Sequence, residues 1–409
     1  MKQPSVLFLQ RSVPPDSSAA GRILMELATA LAARGWSVSI LASRIPSDSP
    51  TLEEREGVQI HRVRTLPFTR KNLLLRAISL ASVYPAFFFR ALGLSKPDII
   101  VSLTDPPLLS VIADVLHRIW KVPHVHWAQD VYPETAIQLG VFSKDSIISR
   151  LFLSVAHGAL RRSQSVVVIG RCMEKYLKTQ EISRLHFIPN WTDPDLIQPD
   201  EAQGTDFRKR HDLIDKFVIS YIGNIGLAHG LEWFLQTAPL LKTVIPNACF
   251  IFAGNGPRRK WLEEHIREQR LDNIILLDSV GKADLSAAYS GADIHITSMD
   301  RRLDGLVVPS KIYAAFASQK PCVFIGPVNS EAAQAILDAK AGAAFDPDDK
   351  ESFIAFVKAC AEQQTLSQEY GQNARKAVYG YTLSTAATAF EKELADVISR
   401  EKTPQQARS

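Results

Sequence analysis

The chain has 409 residues, of which 46% are hydrophobic and 22% are charged. This length exceeds one ordinary hydrophobic core and predicts two domains of roughly 200 residues each. The composition is that of a soluble globular protein and excludes a disordered or fibrous chain. The four cysteines form no C-x-x-C pair, which argues against a disulfide framework or a cysteine zinc site and favours a reducing compartment.

Charge is distributed unevenly along the chain. Residues 1–190 contain 23 lysines and arginines against 14 acidic residues, whereas residues 191–409 contain 24 against 29. We therefore expect the N-terminal half to meet an anionic partner, such as a membrane surface or a phosphorylated acceptor. Solvated surface charge without a partner is the alternative, and no nucleic-acid partner is expected.

Strands and helices alternate in the N-terminal half. The apolar run before Gln10 is too short for a signal peptide and predicts a strand at Val6–Leu9. A polar loop follows, then an amphipathic helix that Gly35 ends, and an alternating strand at Trp36–Ala42. This order predicts a Rossmann-like domain with a parallel sheet over residues 1–190. Further strands are predicted at Asp98–Ser102, His124–Trp127 and Ser165–Ile169.

The segment Ile188–Asp206 is rich in proline and aspartate and lacks periodicity, so residues 191–206 are predicted to be a hinge. A second Rossmann-like domain is predicted over residues 207–380. Residues 381–409 are predicted to form an amphipathic helix to about Arg400 and a frayed tail; whether this segment crosses back to the first domain is open. The strands of the second domain are predicted at Phe217–Ile222, Cys249–Ala253, Ile274–Leu277, Asp293–Thr297, Cys322–Ile325 and Ala343–Phe345.

Two glycine-bearing loops follow predicted strands of the second domain. Ligands of doubly wound sheets bind beyond the carboxyl ends of the strands, where glycine lets the backbone approach a phosphate. The two loops together favour a nucleotide diphosphate, and simple tight turns are the alternative. The residues are Gly223, Asn224 and Gly226 in the first loop, Gly254, Asn255 and Gly256 in the second, and Arg258 as a charge for phosphate.

A third candidate is the segment Pro309-Ser310-Lys311. Pro309 is predicted to open a helix that runs to about Ala317. Ser310 is expected to cap this helix or to donate to phosphate, and Lys311 to place a charge beside its positive end. A capped helix with a surface lysine is the alternative.

These segments resemble family-4 glycosyltransferases. Their motifs are most similar to those of bacterial enzymes of colanic-acid, O-antigen and exopolysaccharide biosynthesis. The resemblance covers nearly the whole chain. It implies the α/β GT-B fold, in which two Rossmann-like doubly wound parallel-sheet domains face each other across a cleft. The motifs that carry it are PPDSSAAGR, RGWSVSILAS, WAQDVYPE, IPNW, GNIGLAHGLE, FAGNGP and VPSKIYAAFASQKP.

The resemblance also implies a reaction. The expected activity is retaining transfer of a sugar from a nucleotide-diphosphate sugar, with a UDP-sugar favoured, to a growing glycan that is linked to a lipid diphosphate. No metal and no cofactor are expected, so fixed positive charge from Lys311, Arg258 and the helix N-terminus must stabilise the leaving diphosphate. The expected location is cytoplasmic, with a peripheral position on the inner membrane left open.

The resemblance also implies roles for the remaining candidate site residues. Asp130, in the motif HWAQDVYPE, is expected to orient the acceptor hydroxyl or to stabilise a cationic sugar carbon, and capping of a helix near Tyr132 is the alternative. Gln129 and Lys311 are the other expected catalytic residues. His126, Tyr132 and Glu134 are assigned to the acceptor, and Gly21, Arg22, Val280 and Pro309 join the two glycine loops in the donor site.

The chain departs from the family pattern at several positions. Gln129 stands where many relatives have histidine, and His229 stands where lysine is common. The paired glutamates of the family fall on Leu306 and Ala314 here, so the way in which the ribose is held is open. This loss favours one alternative function, a non-catalytic transferase-like partner protein.

Two further alternatives concern the enzyme class and the membrane. A non-hydrolysing UDP-N-acetylglucosamine 2-epimerase shares the fold but needs more carboxylates around the sugar, and a dehydrogenase is disfavoured because no G-x-G-x-x-G follows the first strand.

Residues 77–94 are apolar but interrupted by Pro85 and Arg90. They predict a membrane-interface segment or a buried helix of the first domain, and not a transmembrane span.

Overall fold

The computed structural model describes residues 3–16, 18–66 and 73–406, which form two units. The N-terminal unit contains the chain up to Pro189, the short segment Gly305–Val307, and the C-terminal segment from Leu383. The C-terminal unit contains Asn190–Asp304 and Val308–Thr382. The strands are β1 Ser5–Leu9, β2 Ser37–Ser43, β3 Leu52–Arg55, β4 Val58–Val63, β5 Ile99–Ser102, β6 His124–Ala128, β7 Ser165–Val168, β8 Leu185–Phe187, β9 Phe217–Ile222, β10 Ala248–Ala253, β11 Ile274–Leu277, β12 Ile294–Ser298, β13 Cys322–Ile325 and β14 Gly342–Phe345.

Helices connect these strands. The α-helices are α1 Ala19–Ala33, α2 Leu73–Leu92, α3 Leu109–Trp120, α4 Glu134–Gln138, α5 Ile147–Arg162, α6 Arg171–Thr179, α7 Glu201–Arg210, α8 Glu232–Val244, α9 Arg259–Glu268, α10 Leu285–Ser290, α11 Lys311–Ala317, α12 Glu331–Asp338, α13 Lys350–Glu362, α14 Gln364–Ala377 and α15 Leu383–Gln406.

The sheet of the N-terminal unit has the strand order β3-β4-β2-β1-β5-β6-β7-β8. All neighbouring strands are parallel except β3 and β4, which are antiparallel. Strands β5, β6 and β7 are buried on both faces, as expected for a parallel sheet covered by helices. Leu9 of β1 pairs with Leu41 of β2 on one side and with Ser102 of β5 on the other. The strands that follow β1 in the chain therefore lie on both sides of it in the sheet. This arrangement creates a topological switch point at the carboxyl ends of β1 and β5.

The C-terminal unit repeats this plan with six parallel strands in the order β11-β10-β9-β12-β13-β14. Here β9 lies between β10 and β12, so the switch point falls at the carboxyl ends of β9 and β12. Aromatic side chains fill the core beside these strands: the Phe234 ring lies 5.4 Å from that of Phe250 and 4.9 Å from that of Phe252. Helix α8 therefore packs firmly beneath the loops that follow β9 and β10.

Residues 201–206 of the predicted hinge belong to α7. The helix begins at Asp200, whose carboxylate accepts a hydrogen bond from the Gln203 N–H at 2.9 Å. Only Gly204 and Phe207 are buried on α7, which leaves almost no apolar periodicity to detect. Gly204 packs so closely that an added Cβ would lie 2.8 Å from the Ser290 carbonyl oxygen.

The C-terminal helix packs within the N-terminal unit. On α15, Glu391 forms an ion pair at 3.0 Å with Arg34, which follows α1, and the Phe390 ring lies 4.6 Å from the Trp127 ring of β6. The helix continues to Gln406, beyond the predicted end near Arg400. Residues 407–409 of the predicted tail lie outside the described residues.

The apolar stretch at residues 77–94 belongs to α2, and it is only half buried. Val83, Phe87 and Ala91 lie in a core cluster with strand residues, whereas Phe89 is 71% exposed. The prediction of a buried helix therefore holds for one face of α2 only. Within the described residues, no helix has the length and the apolar character needed to cross a membrane.

Candidate functional site

The two glycine loops of the C-terminal unit form one structure at the carboxyl ends of β9 and β10. The Gly223 N–H donates to the Ala253 carbonyl and the Ile225 N–H donates to the Asn255 carbonyl, each at 2.9 Å. The Arg258 N–H returns to the Ile225 carbonyl at 3.1 Å. The strand ladder therefore continues into both loops and holds them together, which brings the two sequence motifs to one place.

Glycine is required in the second loop by this close approach. A Cβ on Gly254 would lie 2.0 Å from the Gly223 carbonyl oxygen, which no side chain can tolerate. Gly256 has φ +157°, and a Cβ there would lie 2.4 Å from the Ile225 carbonyl oxygen. Tight packing of the loops explains these two glycines, and any role in binding phosphate comes in addition.

Lys311 lies against the first loop. Its ammonium group contacts the Tyr221 hydroxyl, lies 3.7 Å from the centre of the Tyr221 ring, and lies 3.4 Å from the Asn224 carbonyl oxygen. Burial lowers the pKa of Lys311 well below its usual value. No carboxylate of the described residues lies within ion-pair distance of Lys311. The site therefore holds a half-buried lysine whose protonated form is disfavoured, and which has dipolar and aromatic partners but no carboxylate within that distance.

Tyr221 holds this lysine in place from within the core. The tyrosine side chain is fully buried on β9, and its hydroxyl donates to the Asn224 carbonyl at 3.0 Å. Burial raises the pKa of Tyr221 well above its usual value, so the hydroxyl is neutral. One side chain thus connects the strand end, the glycine loop and the ammonium group.

His229 stands beside Lys311 as a neutral ring. Its Nδ1 lies 3.1 Å from the Ser298 carbonyl oxygen, and the Ser298 hydroxyl donates to the His229 carbonyl at 2.6 Å. Burial, and then the charge of Lys311, lower the pKa of His229 to about 3. The position where family members often carry lysine is therefore uncharged at neutral pH, and Lys311 is not accompanied by a second cation there.

Other residues assigned to the donor site are already engaged. The Arg258 guanidinium forms an ion pair with Glu232 at 2.7 Å and lies 3.6 Å from the centre of the Trp261 ring, and its role in binding phosphate stays a prediction. The Ser310 hydroxyl makes no capping hydrogen bond, although Ser310 immediately precedes α11. Val280 packs against an apolar cluster of the C-terminal unit.

In the N-terminal unit, Gln129 and Asp130 follow β6. The Gln129 N–H donates to the Thr104 hydroxyl at 3.0 Å, and Asp130 forms an antiparallel bridge with Val307. Burial, and then the nearby charge of Asp105, raise the pKa of Asp130 to about 6. Capping by Asp130 is not observed, because α4 begins at Glu134 with Pro133 at its cap position.

Arg11 and Asp105 lie at the switch point of the N-terminal unit, and sequence reasoning missed both. Their side chains form an ion pair at 3.0 Å, and the Arg11 N–H donates to the Asp105 carbonyl at 2.8 Å. Each follows the end of a central strand, β1 or β5, and this position was the available signal. Neither residue stands in a recognisable motif.

The residues assigned to the acceptor make contacts inside the N-terminal unit. His126 Nδ1 lies 2.9 Å from the Ser102 hydroxyl, and burial lowers the pKa of His126 to about 4. The buried Glu134 carboxylate lies 2.6 Å from His157 Nε2 and accepts a hydrogen bond from the Tyr176 hydroxyl at 3.3 Å. Acceptor binding by His126, Glu134 and the neighbouring Tyr132 stays a prediction.

The loop after β1 brings the predicted residues Gly21 and Arg22 to the same edge of the sheet. Ser18 caps α1 by accepting the Gly21 N–H at 3.3 Å. A Cβ on Gly21 would lie 2.1 Å from the Ser12 carbonyl oxygen, so glycine allows the helix to start against this loop. Arg22 is exposed at the first turn of the helix.

Comparison with known families identifies the chain. A family model described as Glycosyl transferase 4-like domain matches residues 18–191, and one described as Glycosyl transferases group 1 matches residues 216–363. The chain belongs to the glycosyltransferases that these two models describe. WbjE of Pseudomonas aeruginosa, named as a glycosyltransferase, is 28% identical over 288 residues, which cover 69% of this chain and 71% of that protein. WcaI of Escherichia coli (strain K12), named as a colanic acid biosynthesis glycosyl transferase, is 23% identical over 389 residues, covering 88% and 93%.

Solved structures support the GT-B fold of this glycosyltransferase. Anabaena HepE, solved in complex with UDP and glucose, aligns with a TM-score of 0.73 at 15% identity and covers 96% of this chain and 100% of its own. At this identity the likeness concerns the fold alone. The predicted fold class and the predicted family are both confirmed.

The two positions at which this glycosyltransferase lacks the glutamates of its family have different surroundings. Leu306, where a glutamate was expected, is buried, and its carbonyl accepts the Val131 N–H at 2.8 Å. A charged side chain at this buried position would lose its hydration. Ala314 lies on α11, one turn after Lys311, and offers no polar atom beyond the backbone.

Proposed function

We propose that this glycosyltransferase moves a sugar, with retention and without a metal ion, from a nucleotide-diphosphate sugar to a growing lipid-diphosphate-linked glycan. UDP is the favoured nucleotide. The glycan belongs to a surface polysaccharide, by likeness to WcaI, which is named for colanic acid biosynthesis. The observation that carries the proposal is Lys311, a half-buried lysine at the carboxyl end of β9 whose pKa is lowered and which has no described carboxylate within ion-pair distance.

The donor diphosphate would supply the missing anion. A partly buried ammonium group is disfavoured unless it is paired, and here the glycine loop beside Lys311 offers backbone and no carboxylate. An arriving diphosphate would restore the pKa of Lys311 towards its usual value, because an opposite charge favours the protonated form. HepE, the structural neighbour, was solved with UDP, which makes UDP the first nucleotide to test.

Lys311 then contributes to the chemical step through charge. During transfer, the bond between the anomeric carbon and the diphosphate oxygen breaks, and the electron pair leaves with the diphosphate. A preorganised cation stabilises the negative charge that grows on this oxygen, and in a water-poor site it does so more strongly than in water. A fixed lysine can replace the bridging metal in this role, so the proposed reaction needs none.

Asp130 is the proposed acceptor-side residue. With a pKa of about 6 its carboxylate is ionised at neutral pH, so it can accept a hydrogen bond from an acceptor hydroxyl or stabilise positive charge on the sugar carbon. The same pKa is far above that of an exposed aspartate, and the carboxylate is therefore a stronger base than usual. Retention requires the new bond to form on the face of the sugar that the diphosphate leaves.

Transfer itself is the test. The purified protein is incubated with UDP-sugars and GDP-sugars and with a lipid-linked oligosaccharide extract, with and without EDTA, and the released nucleotide and the glycolipid product are measured. We expect release of one nucleotide, an unchanged rate in EDTA, and a product whose anomeric configuration by NMR is that of the donor.

Each part of the proposal can fail separately. An inverted product would refute retention, and loss of activity in EDTA would refute metal independence. Nucleotide release without any glycolipid product would refute the lipid-linked acceptor. Absence of release with every nucleotide sugar would favour a non-catalytic partner protein, the alternative to which the uncharged Leu306 and Ala314 point.

A further inference from the structure

Three helices of the N-terminal unit expose apolar side chains to solvent on a shared face. Helix α3 packs against both α2 and α5, and the Arg162 side chain of α5 bonds to Asp114 of α3 at 2.8 Å. Of the 22 large hydrophobic residues that are exposed in the described chain, ten lie on these three helices. We call the outward surface of α2, α3 and α5 the arginine-apolar face.

Helix α2 contributes a continuous apolar row. Where its side chains are described, every exposed residue is apolar, and the row runs the whole length of the helix. Its opposite side packs into the core through Val83 and Phe87, so both sides of α2 are apolar. A water-facing helix normally carries polar residues on its outer side. The exposed residues are Leu75, Ile78, Ala81, Pro85, Phe89 and Leu92.

Helix α5 repeats the pattern at its first turns. Ile147 is 82% exposed, and Ile148 and Leu151 are each 58% exposed. Val155 continues this side of the helix, whereas Ala156 and Leu160 face inward. A cluster of bare isoleucine and leucine side chains of this kind marks a binding surface.

The charge of the face is one-sided. The three helices contain six arginines, one aspartate, and no lysine or glutamate. The aspartate, Asp114, is buried and bonded to Arg118 and Arg162, so no acidic side chain of these helices is exposed in the described residues. Arg150 stands beside the isoleucines and forms no ion pair with any described residue.

From these observations we infer that the arginine-apolar face docks on an anionic lipid bilayer. Isoleucine, leucine and phenylalanine side chains enter the interface, and the arginines pair with lipid phosphates. A second copy of this chain is the less fitting occupant, because a self-complementary contact would bring arginines against arginines. The face lies on the bilayer and does not cross it, since no helix of the described residues has the length and the apolar character needed to span a membrane.

Docking of this face deepens the proposed function by supplying the acceptor. A helix that connects two parallel strands runs opposite to them, so the first turn of α5 points towards the carboxyl edge of the sheet, where Asp130 lies. The bilayer is thereby brought to the edge at which an acceptor hydroxyl would be oriented. Only the link to a lipid-linked acceptor rests on the proposed function. Vesicle binding is measured without any nucleotide sugar, so membrane docking and sugar transfer can fail separately.

Vesicle sedimentation tests the inference. The full-length protein is mixed with sucrose-loaded vesicles of phosphatidylcholine alone, or of phosphatidylcholine with phosphatidylglycerol, at increasing salt. We expect binding to the anionic vesicles that weakens as salt rises, and little binding to the neutral ones. The triple variant Ile147→Ser, Ile148→Ser, Leu151→Ser should bind at least about tenfold more weakly.

Matched controls come from the C-terminal unit. Leu240→Ser with Val244→Ser changes two exposed apolar residues of α8 and should bind as wild type does. Arg150→Gln should weaken binding to anionic vesicles about fivefold, whereas Arg267→Gln on α9 should leave it unchanged. Circular dichroism and thermal unfolding of each variant establish that the fold is retained.

Three results would overturn the inference. The first is no binding of wild type to anionic vesicles at low salt. The second is equal binding by the α5 triple variant and the α8 double variant. The third is a wild-type oligomer in analytical ultracentrifugation that the triple variant dissociates, with no vesicle binding, which would make a second copy the occupant.

Discussion

Lys311→Met removes the charge that we assign to the leaving diphosphate while it keeps a side chain of similar length. The ammonium group lies 3.4 Å from the Asn224 carbonyl oxygen, so a diphosphate bound at this loop would place an oxygen about 4 Å from the charge. At an effective dielectric constant of about 20, two unit charges at that distance interact by about 4 kcal/mol. This energy corresponds to about a thousandfold in rate or in donor affinity.

The same substitution should stabilise the ligand-free fold. Burial lowers the pKa of Lys311 in the folded protein, so the folded state binds a proton there less readily than the unfolded chain. Below the usual lysine pKa this difference favours unfolding, and methionine abolishes it. We therefore expect a higher melting temperature at neutral pH together with a lower turnover, which separates a functional role from damage to the fold.

The assay compares nucleotide release and thermal unfolding of wild type, Lys311→Met and Lys282→Met. Lys282 is an exposed lysine of the same unit and makes no ion pair within the described chain, so its substitution should change neither quantity. Wild-type turnover of Lys311→Met would refute the assignment of Lys311 to the diphosphate. A lower melting temperature of that variant would refute the argument from burial.

Three further substitutions test the site. Asp130→Asn should impair transfer without weakening nucleotide binding. It should also raise the free energy of unfolding at pH 8 by up to about 3 kcal/mol, because a pKa of about 6 means that the folded state disfavours the carboxylate. The wild-type rate should fall as the pH drops below about 6, where this carboxylate is protonated. Tyr221→Phe keeps the ring and removes the hydroxyl that holds Lys311, so calorimetry should find UDP affinity lower by about tenfold. Gly254→Ala should lower the free energy of unfolding by about 1–3 kcal/mol in denaturant titrations, because its Cβ would lie 2.0 Å from the Gly223 carbonyl oxygen.

Each of these results has a contrary outcome. Equal transfer by Asp130→Asn and wild type would remove Asp130 from the chemistry, and undiminished UDP affinity of Tyr221→Phe would make the tyrosine a core residue only. Gly281→Ala is the matched control for the loop, since no atom lies within 4 Å of a Cβ added to Gly281. Equal stability of the two glycine variants would contradict the packing argument.

Much of the fold was predictable because the central strands are buried on both faces. Strands such as Val6–Leu9 and Cys322–Ile325 therefore form short uninterrupted apolar runs between turn residues. The two edge strands of the N-terminal sheet, β3 and β8, were missed for the opposite reason. β3 reads LEER and β8 is the three residues LHF, and neither buries enough apolar surface to leave a pattern.

The candidate site was predictable in part. Lys311 and the glycine loops were recognised as separate motifs, but Lys311 follows Asn224 by 87 positions in the sequence, and only the pairing of β9 with β12 brings them together. Tyr221 reads as an ordinary core residue of a strand, and its second role appears only through its contact with Lys311. The pairing of Arg258 with Glu232 was likewise invisible, because long-range ion pairs leave no trace in local spacing.

The central claim is that the C-terminal unit holds a nucleotide diphosphate against Lys311, and thermal unfolding with UDP, GDP and ADP tests it most directly. A ligand at a hundred times its dissociation constant stabilises the folded state by about 2.7 kcal/mol, which shifts the melting temperature by several degrees. We predict such a shift with one nucleotide, UDP first, for wild type and Lys282→Met, and a much smaller shift for Lys311→Met. No shift of the wild-type protein with any nucleotide at millimolar concentration, or an equal shift of Lys311→Met, would contradict the claim.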